Sequence, residues 1–365
     1  MSTANLRQPL SALRRTLSAS WSSRRLTLNG RLYSQVSVAG IPAEALQSLT
    51  PSQVSFIQNL PKAELHAHLN GSIPVPVLLE LAREHKSTST SVSSHIQEGL
   101  KKLENLELKD LNDFFGLFPA IYALTATPAA LARAARGVLS SFLDGDAPQS
   151  TPRATPEMTR EEYVETVAAE VERYPEDKAA LIVSVNRTMS EQEVEECVGI
   201  ARRIVGIDIC GDPIAGDMDK FAKYFADAKE DGLGVTLHIA ETTENTPADT
   251  LRLLQFQPNR LGHATFLDDE AKSLVLKNKT CIELCLTSNL LCKTVSTLEQ
   301  HHIQYYLAQD HPISICTDDT LPFQTSLLAE YALLLAPAPL GLGLSEDAVR
   351  RIARMSLDNR MSVLS

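Results

Sequence analysis

Polar side chains suited to metal chemistry recur where apolar segments of this sequence end. His66 and His68 close one such segment, His238 closes another, and Asp318 follows a third. In a β-strand, residues i and i+2 point to the same face, so His66 and His68, about 7 Å apart along a strand, can both reach one metal ion. Three neutral imidazoles and one carboxylate suit Zn²⁺, with a water in the open position.

Further polar residues with acid or base chemistry lie near these candidates. Glu241 follows His238 by three residues, and Asp319 follows Asp318 directly. A metal lowers the pKa of its bound water towards neutrality. Glu241 is near enough to act as a proton shuttle, and His263 can orient or deprotonate the water. An Asp-Asp pair or an isolated His-x-His pair is weak evidence alone. Their coincidence at the ends of several candidate strands favours a metal site.

The segments that carry these residues alternate with helical patterns after about residue 50. The candidate strands are rich in Val, Ile and Leu, as buried parallel strands are. They are 62–69, 180–185, 204–209, 234–239, 260–263, 281–286 and 313–317. Capping boxes at Thr159 and Ser190, and Thr246 followed by Pro247, predict helix starts between them. This alternation predicts a parallel sheet, closed or doubly wound. In a closed barrel, functional groups gather at the carboxyl ends of the strands.

Length and composition are compatible with one barrel and exclude several other classes. The chain has 365 residues, of which 44% are hydrophobic and 22% charged, as an α/β barrel with insertions allows. The sequence contains no apolar run of about 18 residues, so it predicts no membrane-spanning helix. A formal net charge of −11 and the lack of a basic stripe in the body argue against nucleic-acid binding. Six cysteines without a C-x-x-C pair predict a reducing compartment and no disulfides.

The N-terminal part differs in composition from the remainder. Residues 1–40 hold six Arg and no Asp or Glu. We therefore divide the chain into an Arg/Ser-rich extension, 1–50, and a barrel, 51–365. The extension resembles a mitochondrial presequence; a disordered tail and a misplaced start codon are the alternatives. We expect a cytoplasmic protein, or a mitochondrial one if the extension is a true presequence.

In their order along the chain, these motifs resemble those of the adenosine deaminase family. The segment 62–72, which contains both first histidines, looks like the family's opening motif, and 206–213 resembles its central glycine motif. The groups at 238–241, 261–263, 287–289 and 317–319 follow in the family's order. The likeness is greatest to the adenosine deaminase-like branch, the N(6)-methyl-AMP deaminases. It implies an α/β fold, the (β/α)8 TIM barrel, and a zinc-dependent aminohydrolase.

The resemblance also implies a role for each site residue. One zinc ion per subunit would be bound by His66, His68, His238 and Asp318. Glu241 would protonate the purine ring nitrogen next to the attacked carbon, while His263 and Asp319 would hold and activate the hydroxide. Hydroxide would add at purine carbon 6, and ammonia or an alkylamine would leave. His68, Asp319 and Gly211 are also expected to contact the substrate, Gly211 through its backbone.

Asn70 favours a nucleotide over a nucleoside as substrate. Ordinary adenosine deaminases carry Asp at this position, where it meets the ribose 5′-hydroxyl. A carboxylate there would repel a 5′-phosphate, by on the order of 4 kcal/mol for like charges about 4 Å apart near a surface, whereas Asn would not. The alternative interpretation is a tight turn before Gly71. Lys293, near the end of the seventh strand, is a candidate cation for the phosphate.

The second strand is the main departure from the family pattern. Relatives usually show an apolar strand ending in Glu-Leu-Arg before a Thr-Pro-Arg turn. Here the turn survives at 151–153, but the residues before it form no apolar run. Pro148 cannot donate to a ladder and fits a central strand badly, so we expect an incomplete second strand with unpaired edges beside it. Three interpretations of this departure are open: another segment fills the gap, the gene model omits part of an exon, or the protein is impaired.

The leading hypothesis is hydrolytic deamination at carbon 6 of a purine nucleoside monophosphate, N(6)-methyl-AMP giving IMP and methylamine. We expect a monomer that binds this small molecule and neither nucleic acid nor membrane. The first alternative is an adenosine deaminase producing inosine and ammonia, against which Asn70 counts. A multi-metal phosphoesterase is disfavoured by the single ligand set. A catalytically impaired barrel is the remaining alternative. A cytidine-deaminase-type site would need a P-C-x-x-C signature, which this sequence lacks.

Overall fold

Eight parallel strands form the centre of the molecule. The computed structural model describes residues 27–28, 31–32, 38–88, 98–99, 101–102, 116–142, 148–201 and 204–361. The strands are β1 Ala67–His68, β2 Pro148–Ser150, β3 Ile182–Asn186, β4 Gly206–Cys210, β5 Gly234–Ile239, β6 Arg260–His263, β7 Cys281–Leu284 and β8 Ile313–Ile315. Each pairs in parallel with the next along the chain.

The sheet closes between its first and last strands. Ala67 and Asp318 form a parallel bridge. The backbone N–H of His68 donates to the carbonyl of Asp318, and that of Asp318 donates to the carbonyl of His66, both at 2.8 Å. This closure confirms the predicted (β/α)8 barrel, and it brings the ends of β1 and β8, which carry three candidate ligands, side by side.

Helices connect the strands and cover the barrel. The described helices are α1 Gly40–Ser48, α2 Pro51–Asn59, α3 Val75–Thr88, α4 Phe118–Leu124, α5 Pro128–Ser141, α6 Arg160–Val171, α7 Glu191–Ala201, α8 Met218–Glu230, α9 Pro247–Leu254, α10 Asp269–Asn278, α11 Leu286–Leu291, α12 Ile303–Ala308, α13 Thr320–Phe323, α14 Leu327–Leu335 and α15 Glu346–Asp358, with a 3₁₀ turn at Leu298–Gln300. A short antiparallel pair, Thr27–Leu28 with Arg31–Leu32, precedes them.

Local sequence signals explain where several helices begin. The hydroxyl of Thr159 accepts from the backbone N–H of Glu162, and the Glu162 side chain accepts from the backbone of Thr159. The same reciprocal pattern starts α9 at Thr246, with Pro247 at the first helical position. Ser190 and Glu193 form a third pair before α7. Each box satisfies backbone donors that have no partner within the helix.

Burial explains why the strands are recognisable in the sequence. All residues of β4 and β7 are buried, because helices cover the outside and side chains fill the inside of the barrel. Helix α1 adds Ala45 to the core, so the packed part of the described chain includes residues before position 51. None of the helices in the described ranges has both the length and the apolar character needed to cross a membrane.

The second strand is present, although it is only three residues long. In register, Pro148 faces Ala67, and Gln149 lies between His68 and Ile182. The second strand is thus short, as expected, but both neighbouring strands pair with it at these residues, so the expected unpaired edges are not found there. Pro148 is tolerated because it is the first residue of the strand, where a missing N–H is acceptable. The preceding residues, 143–147, lie outside the described part of the chain.

Candidate active site

A cavity of about 450 Å³ opens at the carboxyl ends of the strands. Most of the residues predicted for the site line it. They are His68, Asn70, Gly211, His238, Glu241, His263, Asp318 and Asp319. His66 lies behind this surface and is fully buried. The barrel thus brings together residues from β1, β4, β5, β6 and the segment after β8, which are widely separated in sequence.

Four of these residues form a compact group, which we term the ligand cluster: His66, His68, His238 and Asp318. The Nε2 atoms of His68 and His238 lie 3.1 Å apart, and Asp318 Oδ1 lies 3.4 Å from His68 Nε2 and 3.8 Å from His66 Nε2. His66 Nε2 is buried and has no hydrogen-bond partner among the described residues. A buried nitrogen without a partner is costly, and a metal ion would satisfy it. The donor set therefore fits a metal.

Buried carboxylates orient two of the imidazoles from behind. Glu283 Oε2 lies 2.8 Å from His66 Nδ1, and Asp208 Oδ1 lies 3.1 Å from His238 Nδ1. Arg260, on β6, donates through Nε to Glu283 at 2.5 Å. Carboxylates in this position fix the ring orientation and leave Nε2 to face the cavity, as they do behind metal-bound histidines. Neither acid was predicted from the sequence.

The imidazoles of the ligand cluster differ in their electrostatic surroundings. Burial lowers the pKa of His66 to about 4, with the nearby His238 acting in the same direction, so His66 is neutral near pH 7. Burial also lowers the pKa of His238, but the carboxylates of Asp208, Glu241 and Asp318 together outweigh it and raise that pKa to about 10. Burial raises the pKa of Glu283, yet Arg260 and His66 outweigh burial and bring it to about 2. A divalent cation would supply the charge that these carboxylates favour.

The proposed acid and base lie next to the ligand cluster. His263 Nε2 is 4.0 Å from Glu241 Oε2 and 4.0 Å from Asp318 Oδ2. Glu241 Oε1 is buried without a partner in the described structure, so it is available to a ligand. The backbone is strained here, because His263 and Asp318 have φ angles of 61° and 63°. Such values in non-glycine residues cost energy and gather at functional sites.

Asp319 lines the cavity and has one carboxylate oxygen without a partner in the described structure. Its Oδ1 is buried and has no partner among the described residues. Burial, together with the charge of Asp318, raises the pKa of Asp319 to about 7 in spite of the opposing effect of His68. Its position requires glycine at 71, since a Cβ there would lie 1.6 Å from Asp319 Oδ1. Gly71 of the opening motif therefore makes room for the second aspartate.

Of the three remaining residues predicted to contact the substrate, Gly211 and Asn70 line the cavity and Lys293 does not. Gly211 lines the cavity with a φ of 97°, and a Cβ there would lie 2.7 Å from Asn186 Nδ2. Asn70 donates to the hydroxyl of Tyr163 at 3.4 Å, which leaves its buried Oδ1 without a partner in the described residues. Lys293 is exposed and does not line the cavity, although its neighbours Cys292 and Thr294 do.

Several positioning residues escaped the sequence analysis. Asp208, Arg260 and Glu283 are charged residues inside otherwise apolar strands and are fully or almost fully buried. Buried charged groups are rare unless paired, so a charge within an apolar strand was a usable signal. Ser288, within the motif at 287–289, donates to Asp318 Oδ2 at 2.7 Å. The motif had been noticed, but no role had been given to this hydroxyl.

Comparison with known proteins gives a consistent result. The family described as adenosine deaminase matches residues 61–364. An adenosine deaminase-like protein of Drosophila melanogaster is 34% identical over 303 residues, covering 79% of this chain and 88% of that protein. The N6-mAMP deaminase of Arabidopsis thaliana is 31% identical over 341 residues, covering 84% and 93%. The crystal structure of Arabidopsis ADAL complexed with IMP superposes with a TM-score of 0.73 at 31% identity, covering 84% and 93%.

Proposed function

This chain belongs to the adenosine deaminase family, and we propose that it hydrolyses N(6)-methyl-AMP to IMP and methylamine. Water supplies the oxygen that replaces the amine at purine carbon 6, and the amine leaves with the proton that completes it. The observation that carries the proposal is the convergence of the four ligand-cluster residues beside Glu241. The relative from Arabidopsis is named an N6-mAMP deaminase, and IMP, bound in the related structure, is the product of this reaction.

We propose that the metal of this site is one zinc ion per subunit. The ligand cluster offers three imidazole nitrogens and one carboxylate, a set that zinc accepts. Zinc, when bound, supplies a Lewis acid that lowers the pKa of a coordinated water towards neutrality. Glu283 and Asp208 would set the imidazole orientations for it through their hydrogen bonds to His66 and His238.

The neighbouring side chains would move protons and hold the purine. Glu241 would donate a proton to the ring nitrogen next to carbon 6, which makes that carbon more electrophilic. His263 would accept a proton from the attacking water, and Asp319 would position both the water and the ring. Such proton transfers contribute about 10²- to 10⁴-fold each. Gly211 lines the cavity and has no side chain of its own, so it would present its backbone to the purine edge.

We propose that Asn70 permits a 5′-phosphate. Its amide is buried at the cavity wall and neutral, so it does not repel a phosphate as a carboxylate would. Lys293, exposed next to two lining residues, stays a predicted cation for that phosphate. We also keep as predictions that the protein acts as a monomer in the cytoplasm, or in mitochondria if the N-terminal extension is a true presequence.

The test is turnover by the full chain loaded with zinc. N(6)-methyl-AMP, AMP, N(6)-methyladenosine and adenosine are supplied in parallel, and the IMP and inosine formed are quantified by chromatography. We expect the highest kcat/KM for N(6)-methyl-AMP. Faster turnover of adenosine would favour a nucleoside deaminase instead. A folded, zinc-loaded protein that turns over none of the four substrates would refute the proposal.

A further inference from the structure

A second set of polar groups on the cavity wall is not used by the proposed chemistry. Gln149 lines the cavity and is fully buried, yet neither its Oε1 nor its Nε2 has a hydrogen-bond partner in the described structure. Asn70 lines the same cavity, with Oδ1 likewise unpaired. Buried amides without partners are rare in folded proteins. Both residues line one cavity, so a polar ligand group bound there would complete them.

Arg153 lies beside Tyr163, which contacts Asn70, and it has no counter-ion among the described residues. Its Cζ is 3.7 Å from the centroid of the Tyr122 ring and 5.6 Å from that of Tyr163. One nitrogen, Nη2, donates to Thr125 Oγ1 at 3.1 Å. The other two nitrogens, Nε and Nη1, are buried and have no acceptor within the described ranges. These two donors remain available for an anion, which guanidinium can bind through two hydrogen bonds.

Tyr163 links Arg153 to Asn70. Its hydroxyl lies 3.4 Å from Asn70 Nδ2 and 2.9 Å from Ser150 Oγ, while its ring lies beside the guanidinium of Arg153. Tyr122, the other aromatic partner of Arg153, lines the cavity. We term Asn70, Gln149 and Arg153 the recognition wall.

Arg153 does not itself line the cavity but lies against the ring of Tyr122, which does. Within the described structure the lining contains carboxylates and histidines but neither Lys nor Arg. A phosphate monoester binds most strongly to charged donors, and guanidinium can bind it through two hydrogen bonds. We propose that Arg153 binds the 5′-phosphate of the nucleotide, assisted by the amides of Gln149 and Asn70, and so determines the preference for nucleotides over nucleosides.

The proposal rests on the proposed function, because it requires a nucleoside monophosphate in the cavity. It also requires a side-chain movement. The Tyr122 ring, which is 40% exposed, covers the guanidinium and would turn aside when the phosphate enters. Arg153 is then a specificity-determining residue that contacts the substrate far from the reacting carbon, and its loss should leave the chemical step intact.

The experiment compares binding of IMP and inosine by calorimetry to the zinc-loaded full chain and its variants. Arg153→Gln should raise the Kd for IMP about tenfold to a hundredfold, because one or two charge-assisted hydrogen bonds are lost. It should leave the Kd for inosine unchanged. Arg153→Lys, which keeps the charge, should recover part of the loss. Arg173→Gln removes an exposed arginine on α6's C-terminal side that pairs with Glu170, and it should change neither Kd.

The possible results distinguish a failure of the Arg153 proposal from a failure of the proposed deaminase function. If wild-type protein binds IMP and Arg153→Gln keeps the same ratio of the Kd for IMP to the Kd for inosine, the proposed role of Arg153 is overturned. The proposed function is not affected by that result. If Lys293→Gln lost IMP binding and Arg153→Gln did not, the phosphate-binding role would belong to Lys293 and not to Arg153. An equal loss for IMP and inosine would indicate a structural role. Wild-type protein that binds no nucleotide would overturn both proposals.

Discussion

The ligand cluster and the recognition wall differ in how their polar groups are partnered. Behind the cluster, Glu283 and Asp208 each hold an imidazole by its Nδ1 atom, so the geometry is set by the protein itself. The cluster keeps one buried ligand atom without a partner in the described structure, His66 Nε2, whereas in the wall all three residues, Asn70, Gln149 and Arg153, keep such atoms. A reacting centre gains from rigid, pre-positioned groups. We infer that the wall is completed by the substrate, and that the two regions can be altered separately.

The largest effect is expected where the proposed acid is removed. Glu241→Gln keeps the shape of the side chain but cannot donate the carboxyl proton. We expect kcat to fall about 10²- to 10⁴-fold for nucleotide and nucleoside alike, with metal content unchanged by elemental analysis. Glu244→Gln, an exposed neighbour, is the control. A Glu241→Gln protein with a near-normal rate would exclude Glu241 as the ring acid.

A large loss of stability is expected behind the cluster. Glu283→Gln leaves Arg260, which is 2% exposed, as a buried cation without its carboxylate. Breaking such a buried pair typically costs roughly 3–5 kcal/mol, to be measured as the free energy of unfolding in urea. Glu196→Gln removes a partially exposed ion pair with Arg160 and should cost less than about 1 kcal/mol. Equal costs for the two variants would contradict the rigid support that we assign to the cluster.

An intermediate effect is expected on metal affinity. Asp208→Asn weakens the hydrogen bond that orients His238, and a change of this kind typically lowers metal affinity about 10- to 100-fold. Competition with a chelator measures the affinity, and the exposed Asp227 supplies the control Asp227→Asn. Unchanged affinity would mean that Asp208 does not support a metal ligand.

The smallest effect is expected in the wall, and it should be selective. Asn70→Asp places a carboxylate where the phosphate is proposed to lie. Because the cavity admits water, screening should reduce the repulsion to about 1.4 kcal/mol, or about tenfold in the ratio of kcat/KM for N(6)-methyl-AMP over N(6)-methyladenosine. The exposed Asn278 provides the control Asn278→Asp. If the ratio stays constant, Asn70 has no part in specificity.

The amino-acid sequence alone determined the local features of this protein. Alternation along a strand places His66 and His68 on one face, capping pairs start α6, α7 and α9, and apolar runs mark the buried strands. The order of the motifs sufficed to indicate the family and the barrel. The second strand is short, as expected, but it is paired on both sides. The first residue of a strand tolerates Pro148, and pattern alone does not show where a three-residue strand begins.

Only the tertiary structure decided which distant groups meet. Glu283 lies 217 positions from His66 in sequence, and Asp208 lies 30 positions from His238; no local pattern links either pair. Closure of the barrel brings each pair together and buries it, so that a carboxylate that would be solvated in the unfolded chain becomes a partner for an imidazole. Likewise, the sequence indicates only that Arg153 belongs to a turn, and the tertiary structure shows that its guanidinium lies beside Tyr122 and Tyr163.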